Sequence, residues 1–453
     1  MTKKFWLALA LAAMAMFIVA CGGGDTDDEG TTDENGTEEA DSGEATAPED
    51  IEGDITILHQ RTDINDTVFE QDYRERFNEV YPNINLSFEA ITDYQGQVQI
   101  RMNTQDYGDV LLIPDSVVPG DLPHFFEPLG TVDEQLEEYL FADDFAYEGL
   151  SYGIPIVVNA NGIVYNTEVF EEAGITDIPA TPDEFIEALQ AIKDNTDAIP
   201  LYTNYGDAWP LDQWEPNRLS IAGDEQFIND LIDTEAPFSE GEPHYTLYKV
   251  MYDAANQGLI ESDPLTTDWE LSKQMLADGE IGAMVLGSWA IVQMQETAEA
   301  SGYDSDVIGY MPFPYTQDDG TVYSVVGGDF NLAINVNSDH KEAARAWIDW
   351  FTHESGYAFD QGGISPIVGE DFPDTLAAFE ELGVEFISDA THREGEEGWL
   401  DDIDNISEVG FWQANFKQRI IEAAIGNRNE SFDDIMDDLN SKWAPAREQV
   451  VNQ

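Results

Sequence analysis

Residues 151–166 have the sequence SYGIPIVVNANGIVYN, an apolar run that small polar residues interrupt. The apolar group Ile156–Val158 is followed by Asn159–Gly162, after which Ile163 and Val164 are apolar again. One interpretation is a single buried strand that carries a bulge at Gly162. The other is a strand that leaves one lobe, exposes polar side chains in a gap and enters a second lobe. The second interpretation is our prediction, and it requires a folded unit on each side of the stretch.

The segment before this stretch alternates between strand-like and helical patterns. β-type runs at 54–58, 83–89 and 110–113 are separated by helical patterns at 66–81 and about 93–103. Strand, helix, strand, helix and buried strand in this order are typical of a parallel sheet with helices on its faces. Ligands bind such sheets beyond the carboxyl ends of the strands. The residues expected at that rim are His59, Gln60, Arg61, Asp115 and Ser116.

The same alternation returns after the stretch. The sequence Thr181-Pro182-Asp183-Glu184 is a capping box with proline at the first helical position, and it predicts the start of a helix. A helical pattern at about 268–278 precedes a buried strand at 280–289 that ends at a tryptophan. A further β-type run lies at 327–336. Sheet-like units therefore flank the opening stretch, as a crossing between two lobes requires.

The N-terminus has the features of an export signal. Lys3 and Lys4 precede an apolar run from Phe5 to Ala20, which Cys21 follows. A charged start, a short apolar core and a small residue before the cleavage point are typical of a secretory signal. The segment Ile18–Cys21 resembles a bacterial lipobox, in which the cysteine becomes lipidated. This resemblance implies that Cys21 carries the acyl chains that anchor the protein to a membrane.

Charge and cysteine content narrow the classes of function. Cys21 is the only cysteine, which excludes disulfides and thiolate metal sites. Residues 22–50 contain twelve acidic and no basic residues, and we predict a disordered tether over 22–53. The formal net charge of −75 argues against nucleic acid and against anionic ligands. Because counterions screen self-repulsion on such a surface, we hypothesise a halophilic or haloalkaliphilic source.

Catalytic signals are weak in this sequence. The six histidines are scattered without metal-ligand spacing, and no nucleophile elbow or phosphate-binding loop is present. The acidic run Asp401–Asn405 lacks the glycine and the distal glutamate of an EF-hand loop, and a solvated turn explains it better. We therefore predict a protein that is not an enzyme and that needs no cofactor and no metal.

Tryptophans in loop or strand-end positions are more informative. Trp209, Trp289 and Trp412 each lie beside glycine or polar residues. A single tryptophan belongs to a core more often than to a ligand site. Three in such positions favour a platform for sugars, because flat rings cover the C–H faces of a sugar while Asp, Asn and Gln bond its hydroxyls.

Several of these motifs, taken in order, resemble the extracellular solute-binding proteins of ABC importers, family 1, the maltose-binding-like group. The similarity extends from about Ile55 to the C-terminus. The motifs that carry it are the lipobox, residues 151–166, Thr181–Phe185, Gly282–Trp289, and Gly327–Ile334 with the Ala/Trp-rich helix after it.

The resemblance implies an α/β fold of two lobes, the type II periplasmic-binding-protein-like fold, with parallel or mixed sheets, flanking helices and a hinge. Crossings between the lobes are expected near Val157–Asn161, Gly327–Phe330 and Gly362–Pro366. We therefore expect lobe 1 to consist of 54–158 and 330–364, and lobe 2 of 159–329 and 365–453.

The resemblance also implies a ligand site between the lobes. Its expected residues are Gln60, Arg61, Asp115, Asn159, Tyr205, Trp209, Trp289, Gly328, Asp329 and Trp412. Maltose binders have an acidic residue where this chain has Asn159, and an aromatic ring where it has Ile113-Pro114. These departures make maltodextrin itself doubtful as the ligand.

The function that follows from the resemblance is capture of a neutral sugar or oligosaccharide and its delivery to an ABC permease. The expected partners are the sugar, the permease subunits and, through the lipid anchor, the outer face of the cell membrane; we expect a monomer. Two alternatives remain open. A receptor for a cationic solute or peptide would suit an acidic cleft with aromatic rings, and an exported carbohydrate-active enzyme is the second.

Overall fold

The computed structural model describes residues 46–92, 94–114, 116–393 and 395–452. The predicted signal segment 1–21 with Cys21, most of the predicted tether 22–53, and Asp115 lie outside the described residues. At the start of the described part, Pro48–Asp50 forms one turn of 3₁₀ helix. Its last residues connect to the fold, because Asn83 Nδ2 donates to the Glu49 carbonyl at 2.7 Å.

The described residues form a mixed α/β structure. The strands are β1 (Gly53–His59), β2 (Ile84–Ala90), β3 (Val110–Leu112), β4 (Phe126–Glu127), β5 (Gly130–Thr131), β6 (Ala146–Tyr147), β7 (Leu150–Ser151), β8 (Ile154–Asn166), β9 (Ile199–Leu201), β10 (Ile281–Gly287), β11 (Ile308–Pro312), β12 (Tyr323–Asn335) and β13 (Glu385–Ile387).

Helices cover both halves of the chain. They are α1 (Arg74–Val80), α2 (Tyr94–Met102), α3 (Leu122–Phe125), α4 (Val132–Leu136), α5 (Thr167–Glu172), α6 (Pro182–Asn195), α7 (Asn217–Ala222), α8 (Phe227–Asp233), α9 (Pro243–Asn256), α10 (Trp269–Ala277), α11 (Ala290–Ser301), α12 (Lys341–His353), α13 (Tyr357–Asp360), α14 (Ala377–Leu382), α15 (Trp399–Ser407), α16 (Asn415–Ala424) and α17 (Phe432–Val451). None of the helices in the described part is long and apolar enough to span a membrane.

The main sheet has the strand order β2-β1-β3-β12-β8-β10-β9. β1 pairs in parallel with β2 and β3, as the alternation of strands and helices predicts. β12 then runs antiparallel to both β3 and β8, and β8 runs antiparallel to β10 and β11. The sheet is therefore mixed, and the antiparallel pairs within it are those that involve the two long strands β8 and β12.

β8 contains most of the stretch that organises the sequence, and it is one continuous strand of 13 residues. Its first half pairs with β12 from Ile154 to Ala160, and its second half pairs with β10 and β11. The register continues through Gly162, so no bulge occurs there. The glycine has a packing reason instead, because a Cβ at this position would lie 2.4 Å from the Met311 carbonyl oxygen.

Apolar side chains form separate clusters on the two halves of β8. The first core includes β1–β3 and α12 and reaches Val157 on β8. The second core begins at Val158 and includes β10 and α11. Another large cluster packs α6, α9, α16 and α17 around Ile163. Val157 therefore packs in the first core, and Val158, the next residue of the same strand, packs in the second.

The three segments predicted as crossings lie side by side. Gly327 and Gly328 of β12 pair with Asn159 and Val158 of β8. On the other side of β8, the backbones of Val158 and Ile364 exchange two hydrogen bonds of 2.9 Å each. Segments that are far apart in sequence therefore meet at one point of the sheet.

Candidate functional site

A cleft of about 640 Å³ lies against the place where β8 and β12 run together. Its floor consists of Asn159 and Asn161 of β8 and of residues 325–331 of β12. The walls come from the loop around Phe141–Phe145, the segment 213–218, and Trp289, Ser388, Asp389 and Trp412. Such a volume lies within the range of about 300–1,000 Å³ that small-molecule sites have.

A polar network holds the floor of this cleft. Asn159 is 8% exposed, and its Nδ2 donates to Asp329 Oδ2 at 3.0 Å. The buried Ser288 hydroxyl donates to Asn159 Oδ1 at 3.2 Å and accepts from the Ala160 amide at 3.0 Å. The orientation of the Asn159 amide is therefore set by partners on both of its ends, one on β12 and one after β10.

Two tryptophans form an aromatic wall of the cleft. Trp289 follows β10, and its Nε1 donates to Gln213 Oε1 at 3.3 Å. Trp412 is 56% exposed, which leaves most of its surface open to a ligand. Rings in these positions can cover the apolar faces of a sugar, while the neighbouring amides and carboxylates can bond its hydroxyls.

Arg218 lies beneath this wall and connects it to a buried charge cluster. Its guanidinium bonds Asp389 at 2.8 Å and lies 5.6 Å from the centre of the Trp412 ring. Behind it, the fully buried Glu215 bonds His244 Nε2 at 2.8 Å. Burial alone would raise the pKa of Glu215, but the neighbouring His244 and Arg218 outweigh it, so the pKa is lowered. Glu215 therefore stays ionised and holds Arg218 in place.

Asp144 lies against Gly328 of β12 at one side of the cleft. Its Oδ2 would be only 2.7 Å from a Cβ at Gly328, so this carboxylate packs directly on the glycine. The residue as a whole is exposed and lines the cleft. Partial desolvation of the carboxylate by neighbouring protein atoms, together with the charges of Asp143 and Asp389, raises the pKa of Asp144.

Of the site residues that the sequence predicted, five line the cleft together. They are Asn159, Trp289, Gly328, Asp329 and Trp412. Trp209 is 38% exposed and does not line the cleft. The centre of its ring lies 5.8 Å from the ring centre of Trp289 and 5.0 Å from that of Trp269. It supports the aromatic wall from outside the cleft.

The other predicted residues lie elsewhere in the described structure, with the exception of Asp115, which is outside it. Gln60 lines a small space in the first core beside His59. Arg61 bonds Asp63 at 2.7 Å and Tyr357 at 3.2 Å, so both ends of its guanidinium are engaged within the protein. The Tyr205 hydroxyl donates to Glu422 at 2.7 Å and is turned away from the cleft. Ligand contact by these residues stays a prediction.

Several cleft residues were missed by sequence reasoning. Arg218, Asp144 and Phe141 carry no motif and become visible only through neighbours that are distant in sequence. Phe330 stands inside the motif Gly327–Ile334 but was not among the predicted site residues. Phe141 and Phe330 share a backbone feature, since their φ angles are +59° and +45°. Bulky residues rarely adopt this left-handed region, and such strain is concentrated at functional sites.

No group of three or more His, Cys, Asp or Glu side chains in the described part is arranged to hold a metal ion. The residues that line the cleft can offer stacking, charge and hydrogen bonds to a ligand.

Comparison with known proteins defines the class to which this fold and cleft belong. The chain matches the family model for bacterial extracellular solute-binding proteins over residues 63–358, and it belongs to that family. The family is one of binding proteins of the two-lobed α/β kind predicted from the sequence.

Individual relatives are similar over most of their length. The chain is 38% identical to BlMnBP1, a binding protein of an ABC transporter from Bifidobacterium animalis subsp. lactis solved in complex with mannobiose, with a TM-score of 0.82 over 89% of this chain and 96% of that one. It is 36% identical to the manno-oligosaccharide-specific BlMnBP2 of the same organism, solved with mannotriose, with a TM-score of 0.81 and the same coverage. The diacetylchitobiose binding protein DasA of Streptomyces coelicolor is 22% identical over 77% of each chain.

Proposed function

We propose that this protein is the solute-binding component of an ABC importer and that it captures a neutral oligosaccharide in the cleft. A manno-oligosaccharide is the first candidate. The observation that carries this proposal is the 38% identity, over 89% of the chain, to a binding protein of an ABC transporter that holds mannobiose. The cleft supports it with an aromatic wall beside a floor of hydrogen-bonding groups.

In this proposal each part of the cleft has a role. Trp289 and Trp412 cover the apolar faces of sugar rings. Asn159 and Asp329 on the floor exchange hydrogen bonds with hydroxyls, and Arg218 donates to hydroxyl or ring oxygens. Because Asn159 and Arg218 are already held by hydrogen-bond partners within the protein, little side-chain entropy is lost when a sugar binds.

The hinge forms part of the same proposal. Lobe 1 would consist of 54–158 and 330–364, and lobe 2 of 159–329 and 365–453. The change of core between Val157 and Val158 supports this division. Ligand binding would then close the lobes by rotation about the paired segments of β8 and β12, as hinge-closing binding proteins do.

Localisation completes the proposal. The protein would be exported, lipidated at Cys21 and held at the outer face of the cell membrane by the acidic tether, where it would meet the permease subunits. Replacement Cys21→Ser in a producing cell should move the protein from the membrane fraction to the medium or the periplasm. Retention in the membrane fraction would contradict the anchor.

Calorimetry tests the ligand class directly. The purified protein without its first 21 residues is titrated with mannobiose, mannotriose, maltotriose and spermidine in low and high salt. Binding of a manno-oligosaccharide that salt leaves unchanged supports the proposal. Binding of spermidine that weakens with salt, with no response to any sugar, would instead support the cationic-solute receptor.

A further inference from the structure

A second cavity adjoins the cleft and is not explained by the site described above. It has a volume of about 790 Å³ and is lined by residues from 136–144, 225–228 and 388–392. We name it the outer groove. It shares Phe141, Asp144, Ser388 and Asp389 with the cleft, so the two spaces are continuous along one wall.

The walls of the outer groove carry polar side chains. Asp143, Ser388, Asp389, Thr391 and His392 are among the residues that line it. One Asp389 oxygen accepts a hydrogen bond from Arg218, which fixes the orientation of this carboxylate where the groove meets the cleft. Ligand sites combine apolar walls with a few convergent polar groups of this kind.

The boundary between the two spaces is formed by a strained aromatic residue. Phe141 lines both cavities, and its φ of +59° places a bulky residue in the left-handed region. Its backbone is held by the neighbouring Leu140 amide, which donates to the Pro366 carbonyl at 2.7 Å. A chain passing from one cavity to the other would cross Phe141, which lines both.

We propose that the outer groove binds further units of the same oligosaccharide whose first units occupy the cleft. This inference rests on the proposed function. Each cavity alone lies within the range of one small-molecule site, and the two joined exceed the upper value of about 1,000 Å³. A linear chain of sugars fits two joined spaces better than a single compact solute does.

The charge of the outer groove determines which class of oligosaccharide it can bind. Asp143, Asp144, Glu225 and Asp389 all line it. These carboxylates can accept hydrogen bonds from neutral hydroxyls, but they repel the carboxylates of uronic acids. The ligand that fits is therefore a neutral oligosaccharide longer than a disaccharide, and uronate oligomers are excluded.

The test blocks the outer groove without touching the cleft. Ala390 lines the groove alone, and Ala390→Trp fills part of it with a ring. Its control is Ala300→Trp on the exposed side of α11. Calorimetry compares mannobiose with mannopentaose for both variants and for the unsubstituted protein.

The unsubstituted protein and Ala300→Trp should bind mannopentaose at least about tenfold more tightly than mannobiose. In Ala390→Trp this difference should disappear, while the affinity for mannobiose stays within about twofold. Ile228→Trp, on the opposite wall of the groove, should give the same result if Ala390→Trp does not fold.

Two outcomes would overturn the inference, and they differ from each other. Equal affinity for mannobiose and mannopentaose in the unsubstituted protein, or equal losses for both in Ala390→Trp, would refute the outer groove and leave the proposed function intact. Failure of the unsubstituted protein to bind any oligosaccharide would refute the proposed function and the inference with it.

Discussion

Trp289 is the single side chain whose removal should cost the most binding energy. Its ring lines the cleft and is supported by Gln213, Trp209 and Trp269. Trp289→Ala should weaken oligosaccharide binding by roughly 2–4 kcal/mol, as the loss of a central aromatic contact does at interfaces. Calorimetry with the best ligand found for the unsubstituted protein measures this loss.

Tyr303→Ala serves as the matched control, because it removes a 40% exposed ring that does not line the cleft. Its affinity should equal that of the unsubstituted protein. An unchanged affinity in Trp289→Ala would remove this tryptophan from the site.

His59 makes the stability of the protein depend on pH. The ring is 4% exposed and stacks on Phe69 with centres 3.9 Å apart. Burial is the main cause that lowers the pKa of His59 from 6.5 to about 4, against a hydrogen bond with Asn65 that raises it. Because the pKa in the folded state lies below that in the unfolded state, stability is complete above pH 6.5 and is lost as the pH falls towards 4.

Between pH 7.5 and 5.0 this residue should remove about 2 kcal/mol from the free energy of unfolding. In His59→Gln that part of the loss should be absent, as measured by urea unfolding without ligand at both pH values. His124→Gln, at a residue whose side chain is 75% exposed, should keep the loss. If the free energy of unfolding depended on pH equally in all three proteins, the pKa of His59 would be the same in the folded and unfolded states, which would contradict the prediction.

The sequence singles out some of the side chains that line the cleft and gives no indication of others. Asn159 and Trp289 stand out because each interrupts or ends an apolar run, and both line the cleft. Arg218 lies in an ordinary helical segment, and its importance comes from Asp389, 171 residues further along the chain. The positive φ angle of Phe330 could not be predicted either, because no residue next to it in the sequence requires that angle.

Among the strands, β12 contains two consecutive glycines whose surroundings differ: one position has no room for a side chain and the other has. A Cβ at Gly328 would lie 2.7 Å from Asp144 Oδ2 and 2.9 Å from Cγ of Pro155, and the proline ring cannot turn away. A Cβ at Gly327 would meet nothing within 4 Å. Gly328→Ala should therefore lower the free energy of unfolding by about 1–3 kcal/mol through overpacking.

Gly327→Ala is the control for this pair, and its free energy of unfolding should stay within about 0.5 kcal/mol of the original value. Urea unfolding in the absence of ligand measures both. Equal stability of the two variants would mean that the strand and the loop at Asp144 separate easily.

Secondary structure was predicted closely where the hydrophobic period was clear. The strands expected at 54–58 and 83–89 became β1 and β2 with shifts of one residue at their ends. The helix expected at 66–81 is divided into a π-helix, Asn65–Tyr73, and α1, a difference that side-chain spacing does not reveal. At α6 only half of the capping box forms, because the Glu184 carboxylate accepts from the Ala180 amide, one residue before the Thr181 N-cap.

At the scale of the entire fold, negative charge is the dominant electrostatic feature. The formal net charge is −75, and folding brings these like charges closer together, so their repulsion destabilises the compact state. Screening shortens from about 30 Å at 0.01 M salt to about 3 Å at 1 M. The free energy of unfolding should therefore rise with NaCl by at least about 2 kcal/mol over this range, which corresponds to a rise in Tm of about 2–3 °C or more.

Potassium chloride should give the same increase as sodium chloride, because screening depends on ionic strength, whereas sucrose at equal osmolarity should give less. Full stability at 0.01 M salt, with no gain at 1 M, would contradict the hypothesis of a halophilic or haloalkaliphilic source.

The two-lobed architecture followed from the order of motifs, but the dimensions of the cleft did not. Strand and helix periods predict which residues are buried, whereas a cavity depends on how loops such as 136–147 and 388–392 are placed across a gap. Those loops carry no periodic pattern, and the outer groove therefore had no signal in the sequence.

The position of β12 between β3 and β8 also determines when the protein can fold. Leu332 pairs with Leu112, a contact that closes a loop of about 220 residues, and it pairs with Ile154 on its other side. The first core cannot be completed until β12 has been made, although most of its strands come from the N-terminal third of the chain. Pairing over such distances makes folding slow. If the protein is exported as proposed, it crosses a membrane before it folds, and the late pairing of β12 would then give the nascent chain time to remain competent for export.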